Sequence, residues 1–138
     1  MTTLEDIFVD SSAWIALADE DDSHYKKAAS NYPTIFKNYK TLATSNLVIA
    51  ETYIVLQKEL GHKVALALLE RVKTSPRILK ICSNENIETE AEGILVKYAE
   101  QDFSYADAVS FVIMKRHKIR KVFCFDKHFV IAGFTNIP

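Results

Sequence analysis

Short apolar runs alternate along the chain with longer segments in which apolar residues recur every three or four positions. The runs Ile7-Phe8-Val9 and Val122-Phe123-Cys124-Phe125 are continuously apolar, which is typical of strands buried on both faces of a parallel sheet. The periodic segments between such runs predict amphipathic helices. Because glycine and proline occur only three times each, this alternation favours the α/β class.

The pattern predicts five strands and seven helices. The predicted strands cover residues 7–9, 41–43, 77–82, 122–125 and 134–136. The predicted helices cover residues 12–18, 23–39, 45–60, 62–73, 84–100, 105–118 and, as a short turn, 127–132. With 138 residues, of which 49% are apolar, the chain is expected to form a single domain over residues 1–138.

Composition and charge exclude several functional classes. No uninterrupted apolar run exceeds six residues, whereas a membrane helix needs about 20. The first ten residues carry acids where a secretory signal would be basic, so a cytoplasmic protein is expected. Seventeen basic and eighteen acidic side chains exclude unselective attraction to nucleic acid, so RNA would need a local positive patch. Cys82 and Cys124 lack metal-binding spacing and are expected to be buried thiols.

Two aspartates follow the two continuously apolar runs. Asp10 comes directly after the first predicted strand and Asp126 directly after the fourth. In open parallel sheets, ligand sites form beyond the carboxyl ends of the strands, so the two side chains are expected to share one cleft. The alternative for each is simpler, since an aspartate after a strand often caps the following helix.

Glu51 stands in an unusual place on the third predicted helix. Its neighbours three and four positions away, Leu47, Val48, Ile54 and Val55, are all apolar. A buried, unpaired carboxylate costs several kcal/mol, so a compensating group is expected. The alternative is a glutamate that reaches solvent at the helix edge or pairs with a buried arginine.

Asp107 lies in the first turn of the sixth predicted helix. The segment Ser104-Tyr105-Ala106-Asp107 fits a capping box, in which Ser104 supports Asp107. Capping alone would explain the aspartate. Phe111, one turn further along, nevertheless places Asp107 beside apolar surface.

If these four acids converge, the repulsion between their negative charges must be compensated. Two unit charges about 4 Å apart interact by roughly 4 kcal/mol at an effective dielectric constant of 20. A divalent cation removes this conflict, and Mg²⁺ or Mn²⁺ prefers oxygen ligands more than zinc does. A water molecule made more acidic by such an ion is a suitable nucleophile for a phosphodiester.

At these residues the chain resembles the PIN-domain nucleases, especially the VapC-like toxins of toxin–antitoxin pairs. The resemblance covers essentially the whole chain and rests on the order of four segments: Asp10-Ser11-Ser12, residues 45–51, residues 104–108 and residues 125–129. It implies a three-layer α/β/α fold with a central parallel sheet of four to five strands. In one respect the chain departs from the family, which often has a hydroxyl residue where Cys124 stands.

The resemblance also implies a function. It implies an endoribonuclease that depends on Mg²⁺, with Mn²⁺ as a substitute, and that hydrolyses RNA phosphodiester bonds through metal-activated water. The implied catalytic and metal-binding acids are Asp10, Glu51, Asp107 and Asp126, with Ser12 in a supporting role. The implied partners are an RNA substrate, a cognate antitoxin protein and a second copy of the chain in a homodimer.

Basic and aromatic residues offer further contacts. Lys127, His128 and Arg116 are candidate contacts to RNA phosphates, although basic residues at the end of a helix such as residues 115–118 also suit its dipole. An aromatic stripe recurs at helical spacing in the second predicted helix: Tyr25, Tyr32, Phe36 and Tyr39. Such a stripe is more often core than a binding face, and an antitoxin surface is its alternative use.

Three other functions stay open at this point. The first is a housekeeping RNA-processing PIN nuclease, and the second is a PIN-like protein-binding module without catalytic activity. The third is a phosphoacceptor domain, which Glu51 within an apolar helix disfavours. The sequence does not name the RNA, because sequence-specific recognition reads exposed bases and shape and no RNA-recognition module is present.

Overall fold

The computed structural model describes residues 3–138, in which helices and strands alternate. The strands are β1 (Ile7–Val9), β2 (Leu42–Ser45), β3 (Ile78–Ile81), β4 (Lys121–Phe123) and β5 (Thr135–Asn136). The helices are α1 (Ser11–Ala18), α2 (Tyr25–Asn38), α3 (Asn46–Leu60), α4 (His62–Thr74), α5 (Glu85–Lys97), α6 (Tyr105–Arg116) and α7 (His128–Ile131). Every predicted element is confirmed, with ends shifted by at most three residues.

The strands form one parallel sheet in the order β3-β2-β1-β4-β5. Phe8 on the central strand pairs with Ala43 on one side and with Val122 on the other. Because crossovers between parallel strands are right-handed, this order is expected to put α1 to α4 on one face and α5 to α7 on the other. The predicted α/β/α class is therefore confirmed, and the strand order reverses between β1 and β4, where ligand sites form in such sheets.

The core lies on both sides of the central strands. Phe8, Phe123 and Phe129 are fully buried. Trp14, which is 3% exposed, donates from Nε1 to Thr44 Oγ1 at 3.3 Å. α6 is buried continuously from Ala106 to Met114, as expected for a helix packed on all sides. α6 is therefore a rigid support for Asp107, the acid in its first turn.

The ends of two elements and the exposure of one cysteine differ from the prediction for physical reasons. β4 ends at Phe123 because the backbone N–H of Phe125 donates to Ser12 Oγ at 3.0 Å instead of to a neighbouring strand. Cys82 is exposed, contrary to the expectation of a buried thiol, because it follows the edge strand β3. α5 ends at Lys97, three residues early, since Tyr98 leaves the helical conformation.

The aromatic stripe of α2 is confirmed as core packing in its second half. Tyr32, Phe36 and Tyr39 are half-buried and pack against the buried cluster. Arg77 stacks over the Phe36 ring, with its guanidinium carbon 4.3 Å from the ring centroid. The same guanidinium donates to the backbone oxygens of Phe36, Tyr39 and Lys40, so it satisfies carbonyls at the end of α2.

The length and polarity of the helices bear on membrane insertion. Over residues 3–138, none of the helices combines the length and the apolar character that crossing a membrane requires.

Candidate metal centre

Three aspartates meet beyond the carboxyl ends of the central strands. Asp10 follows β1, Asp126 lies on the loop after β4, and Asp107 lies in the first turn of α6. The charges of Asp126 and Asp107 both act on Asp10. Ligand atoms of Asp107, Asp126 and His128 lie within 4.8 Å of one another. The structure therefore brings Asp107 and Asp126 together, with Asp10 close enough for their charges to act on it.

Asp10 is the most deeply buried of the three acids, with 3% exposure. Its Oδ2 accepts from the backbone N–H of Ser12 at 3.4 Å and from Ser12 Oγ at 2.9 Å. Burial, then the charges of Asp126 and Asp107, raise the pKa of Asp10 from 3.8 to about 8. Asp10 also caps α1, so the capping alternative holds too, but capping does not account for two more acids nearby.

Asp107 is 7% exposed and forms the predicted capping box. Its backbone N–H donates to Ser104 Oγ at 3.0 Å, and its Oδ2 accepts from the Ser104 N–H at 3.0 Å. The same Oδ2 lies 2.8 Å from His128 Nδ1. Ser104 therefore fixes a carboxylate that also faces the other acids.

His128 lies between two of the acids. Its backbone N–H donates to Asp126 Oδ1 at 3.0 Å, while its ring meets Asp107 Oδ2. The ring also packs edge-on against Phe103, with centroids 5.6 Å apart. Its Nδ1 is thus directed at a carboxylate, and a contact of His128 with an RNA phosphate stays a prediction.

Glu51 is half-buried and linked to the acids through a serine. Its Oε1 accepts from Ser11 Oγ at 2.6 Å, and Ser11 directly follows Asp10. Ile54, one of its four apolar neighbours, is 64% exposed, so the helix face is less buried than the pattern predicted. Within residues 3–138, Glu51 forms no ion pair with arginine. Its partial exposure is consistent with the alternative of a glutamate that reaches solvent at the helix edge.

The donor set fits a divalent cation. Over the described part of the chain, no lysine or arginine forms an ion pair with Asp10, Glu51, Asp107 or Asp126. Burial, and after it the charges of Asp126 and Asp107, raises the pKa of Asp10, so a cation at this site would stabilise its charged form. Carboxylate oxygens are the ligands that hard divalent cations prefer. Asp10, Asp107 and Asp126 would hold the ion, with Glu51 behind Ser11.

The remaining predicted residues lie at different distances from the acids. Lys127 is exposed and adjacent in sequence to Asp126. Arg116 ends α6 and lies 3.7 Å from Glu90, roughly 13 Å along the helix from Asp107. Cys124 is buried, and its Sγ lies 3.3 Å from Asn136 Oδ1. Burial raises the pKa of this thiol, so it adds no negative charge to the site.

Two contacts of the site were missed by sequence reasoning. One is the bond from Ser11 to Glu51, although Ser11 lies inside the segment that follows β1. The other is the contact of His128 with Asp107, residues 21 positions apart. The residue types were visible in the sequence, but their pairing depends on how α1, α3, α6 and α7 pack.

Comparisons with known proteins identify the family of the chain. The PIN domain family model matches residues 7–134. The 23S rRNA-specific endonuclease VapC20 of Mycobacterium tuberculosis is 33% identical over 136 residues, which cover 95% of this chain and 97% of that protein. Ribonuclease VapC26 of the same organism is 28% identical over 139 residues, covering 96% of this chain and 100% of that protein.

The crystal structure of one relative shows the same fold as this chain. The crystal structure of Mycobacterium tuberculosis VapC20, described as a Sarcin-Ricin loop cleaving toxin, superposes with a TM-score of 0.88. The two chains are 30% identical, and the match covers 95% of this chain and 98% of that one. The chain belongs to the PIN domain family.

Proposed function

We propose that this protein is a VapC-like endoribonuclease that hydrolyses RNA with the help of Mg²⁺ or Mn²⁺ and acts as the toxin of a toxin–antitoxin pair. The observation that carries the proposal is the buried carboxyl of Asp10 beside Asp107 and Asp126, without a lysine or arginine ion pair in the described residues. Such an arrangement is stable at neutral pH only with protons or a cation. Residues 1–138 act as one catalytic domain, of which residues 1–2 lie outside the described part.

The side chains of the proposed catalytic site have different roles in hydrolysis. When bound, a divalent cation would stabilise negative charge at the phosphate and make a water molecule more acidic. Asp10, Asp107 and Asp126 would hold it, and Ser12 orients Asp10 through its 2.9 Å bond. Glu51, held at Oε1 by Ser11, is the candidate acceptor of the proton that the attacking water loses. The water oxygen bonds to phosphorus and the 3′-oxygen leaves, giving a 5′-phosphate and a 3′-hydroxyl.

The substrate and partners follow from similarity. VapC20 is named for 23S rRNA and for its sarcin–ricin loop, so we propose a loop of ribosomal RNA as the substrate class. An antitoxin protein and a second copy of the chain are the proposed protein partners. A small reading frame directly upstream of the gene would support the toxin role, whereas a solitary gene among RNA-processing genes would favour the housekeeping alternative.

Chelation of divalent metal is expected to abolish cleavage. The purified protein, incubated with a 5′-labelled RNA hairpin carrying the sarcin–ricin loop, should cut it with Mg²⁺ or Mn²⁺. EDTA should stop the reaction, because the acids then lack the ion that makes the water acidic, and added Mn²⁺ should restore it. Gel analysis of the products and their sensitivity to a 5′-phosphate-dependent exonuclease measures both cleavage and its chemistry.

Two controls separate this activity from contaminants and from other functions. Glu90→Gln changes an exposed acid of α5 that pairs with Arg116, and it should cleave like the unaltered protein. Cleavage that persists in EDTA would contradict the proposal. Metal binding without cleavage of any ribosomal or messenger RNA would instead favour a protein-binding module.

A further inference from the structure

An aromatic pair lies at the rim of the acidic site. The rings of His24 and Phe125 are stacked nearly parallel, with centroids 4.6 Å apart and an interplanar angle of 18°. Phe125 is half-buried and packs against the core, whereas the His24 side chain is 50% exposed. Because one face of the imidazole lies on Phe125, its exposed area includes the opposite face.

The pair is tied to the proposed catalytic residues through the backbone. The N–H of Phe125 donates to Ser12 Oγ at 3.0 Å, and the same hydroxyl donates to Asp10 Oδ2 at 2.9 Å. Phe125 also directly precedes Asp126 in the chain. The backbone that carries the Phe125 ring is therefore held beside two of the acids.

The histidine is held from its own side as well. Its backbone N–H donates to Asp22 Oδ1 at 2.8 Å, and its ring Nδ1 lies 3.4 Å from Ser23 Oγ. These contacts restrain the N-cap residue of α2, which makes no side-chain capping bond. A restrained ring loses little conformational entropy when another flat group stacks on it.

The acidic residues beside His24 favour binding of a base over binding of a phosphate group. The loop before His24 carries four consecutive acids, residues 19–22. These charges repel a phosphate group but not the uncharged face of a base. Single-stranded and looped RNA exposes such faces, and proteins bind them on aromatic rings, including histidine.

We propose that the exposed face of His24, backed by Phe125, is a stacking platform for a base of the RNA substrate next to the cleaved phosphate. The inference rests on the proposed nuclease function and adds a residue pair that determines substrate affinity. The pair positions RNA and takes no part in bond cleavage, so its loss acts on KM more than on kcat.

Two variants and a rescue test the platform. His24→Ala removes the exposed ring, and Phe125→Leu keeps apolar volume but removes the flat surface beneath it. Each should raise KM for hairpin cleavage about tenfold, within the range known for base–aromatic stacking, with kcat within about threefold. His24→Phe should restore a KM close to that of the unaltered protein. His62→Ala, which removes another exposed histidine, on α4, is the matched control.

A binding experiment keeps this test separate from that of the nuclease activity. Metal-free protein is titrated into RNA hairpins that carry the fluorescent base 2-aminopurine at successive loop positions. Quenching at one position that is lost in His24→Ala and regained in His24→Phe would support the platform even if no cleavage were found. Unchanged KM and quenching in both ring-removing variants would overturn it, as would failure of His24→Phe to restore either. Absence of metal-dependent cleavage by the unaltered protein would count against the nuclease function alone.

Discussion

Asp10→Asn is expected to abolish RNA cleavage and, at the same time, to stabilise the metal-free protein at pH 8. The loss of activity should be about 10³-fold or more in kcat/KM, because the variant removes a charge that would hold the cation. Asparagine has nearly the same shape and also caps helices well, so α1 should keep its start. The gain in stability follows because an ionised Asp10 is buried beside two other acids.

The combination of both effects distinguishes a functional acid from a structural one. Cleavage of the labelled hairpin gives kcat/KM, and urea unfolding followed by the fluorescence of Trp14 gives the free energy of unfolding. Asp107→Asn should lose cleavage to a similar extent, while Glu90→Gln should change neither quantity. An Asp10→Asn protein that cleaves RNA normally would contradict the proposed role of this carboxylate. A variant that is less stable than the unaltered protein at pH 8 would show that the charge is compensated without metal.

The metal-free protein is expected to lose stability as the pH rises from about 4 to about 8. Asp10 has a pKa of about 8 in the folded chain, against an ordinary value of 3.8. Between these values the folded state keeps a proton that the unfolded state has released, so the free energy of unfolding falls with pH. The loss begins near pH 4 and is complete above about pH 8. Its upper limit is about 6 kcal/mol, since each pKa unit corresponds to about 1.4 kcal/mol.

Other groups also titrate in this range, so the test is a comparison between two proteins. Urea unfolding of the metal-free unaltered protein and of Asp10→Asn is measured at intervals from pH 4 to pH 8.5. The difference between their free energies of unfolding should grow steadily in favour of the variant. Saturating Mn²⁺ should stabilise the unaltered protein most at high pH, because the ion binds the deprotonated carboxylate. A difference that does not vary with pH would contradict the assigned environment of Asp10.

Much of the fold could be predicted from local sequence patterns. The continuous apolar runs around Phe8 and Phe123 become the central strands, because a parallel strand covered on both faces has no polar side. The capping box of Ser104 and Asp107 is likewise a local feature, closed within four residues. The placement of Asp10 and Asp126 follows from the general position of sites in parallel sheets.

Contacts between distant segments could not be predicted in the same way. Ser11 and Glu51 are 40 positions apart, and Ser12 and Phe125 are 113 positions apart. Their pairing depends on helix packing and on the early end of β4, neither of which leaves a periodic signal. The apolar pattern around Glu51 predicted a buried carboxylate, but Ile54 is on the exposed side of α3. Periodicity records which residues are apolar and does not record which of them another helix covers.

Calorimetric titration of Mn²⁺ into the metal-free protein tests most directly whether the clustered aspartates form one cation site. At pH 6.5, in two buffers of different ionisation enthalpy, the unaltered protein should bind Mn²⁺ saturably and release about one proton per ion, because Asp10 is protonated before binding. Asp10→Asn and Asp107→Asn should each weaken binding at least about tenfold, and Asp10→Asn should also abolish the proton release. Equal Mn²⁺ affinity in all three proteins, or binding without proton release by the unaltered chain, would contradict a shared site at these carboxylates.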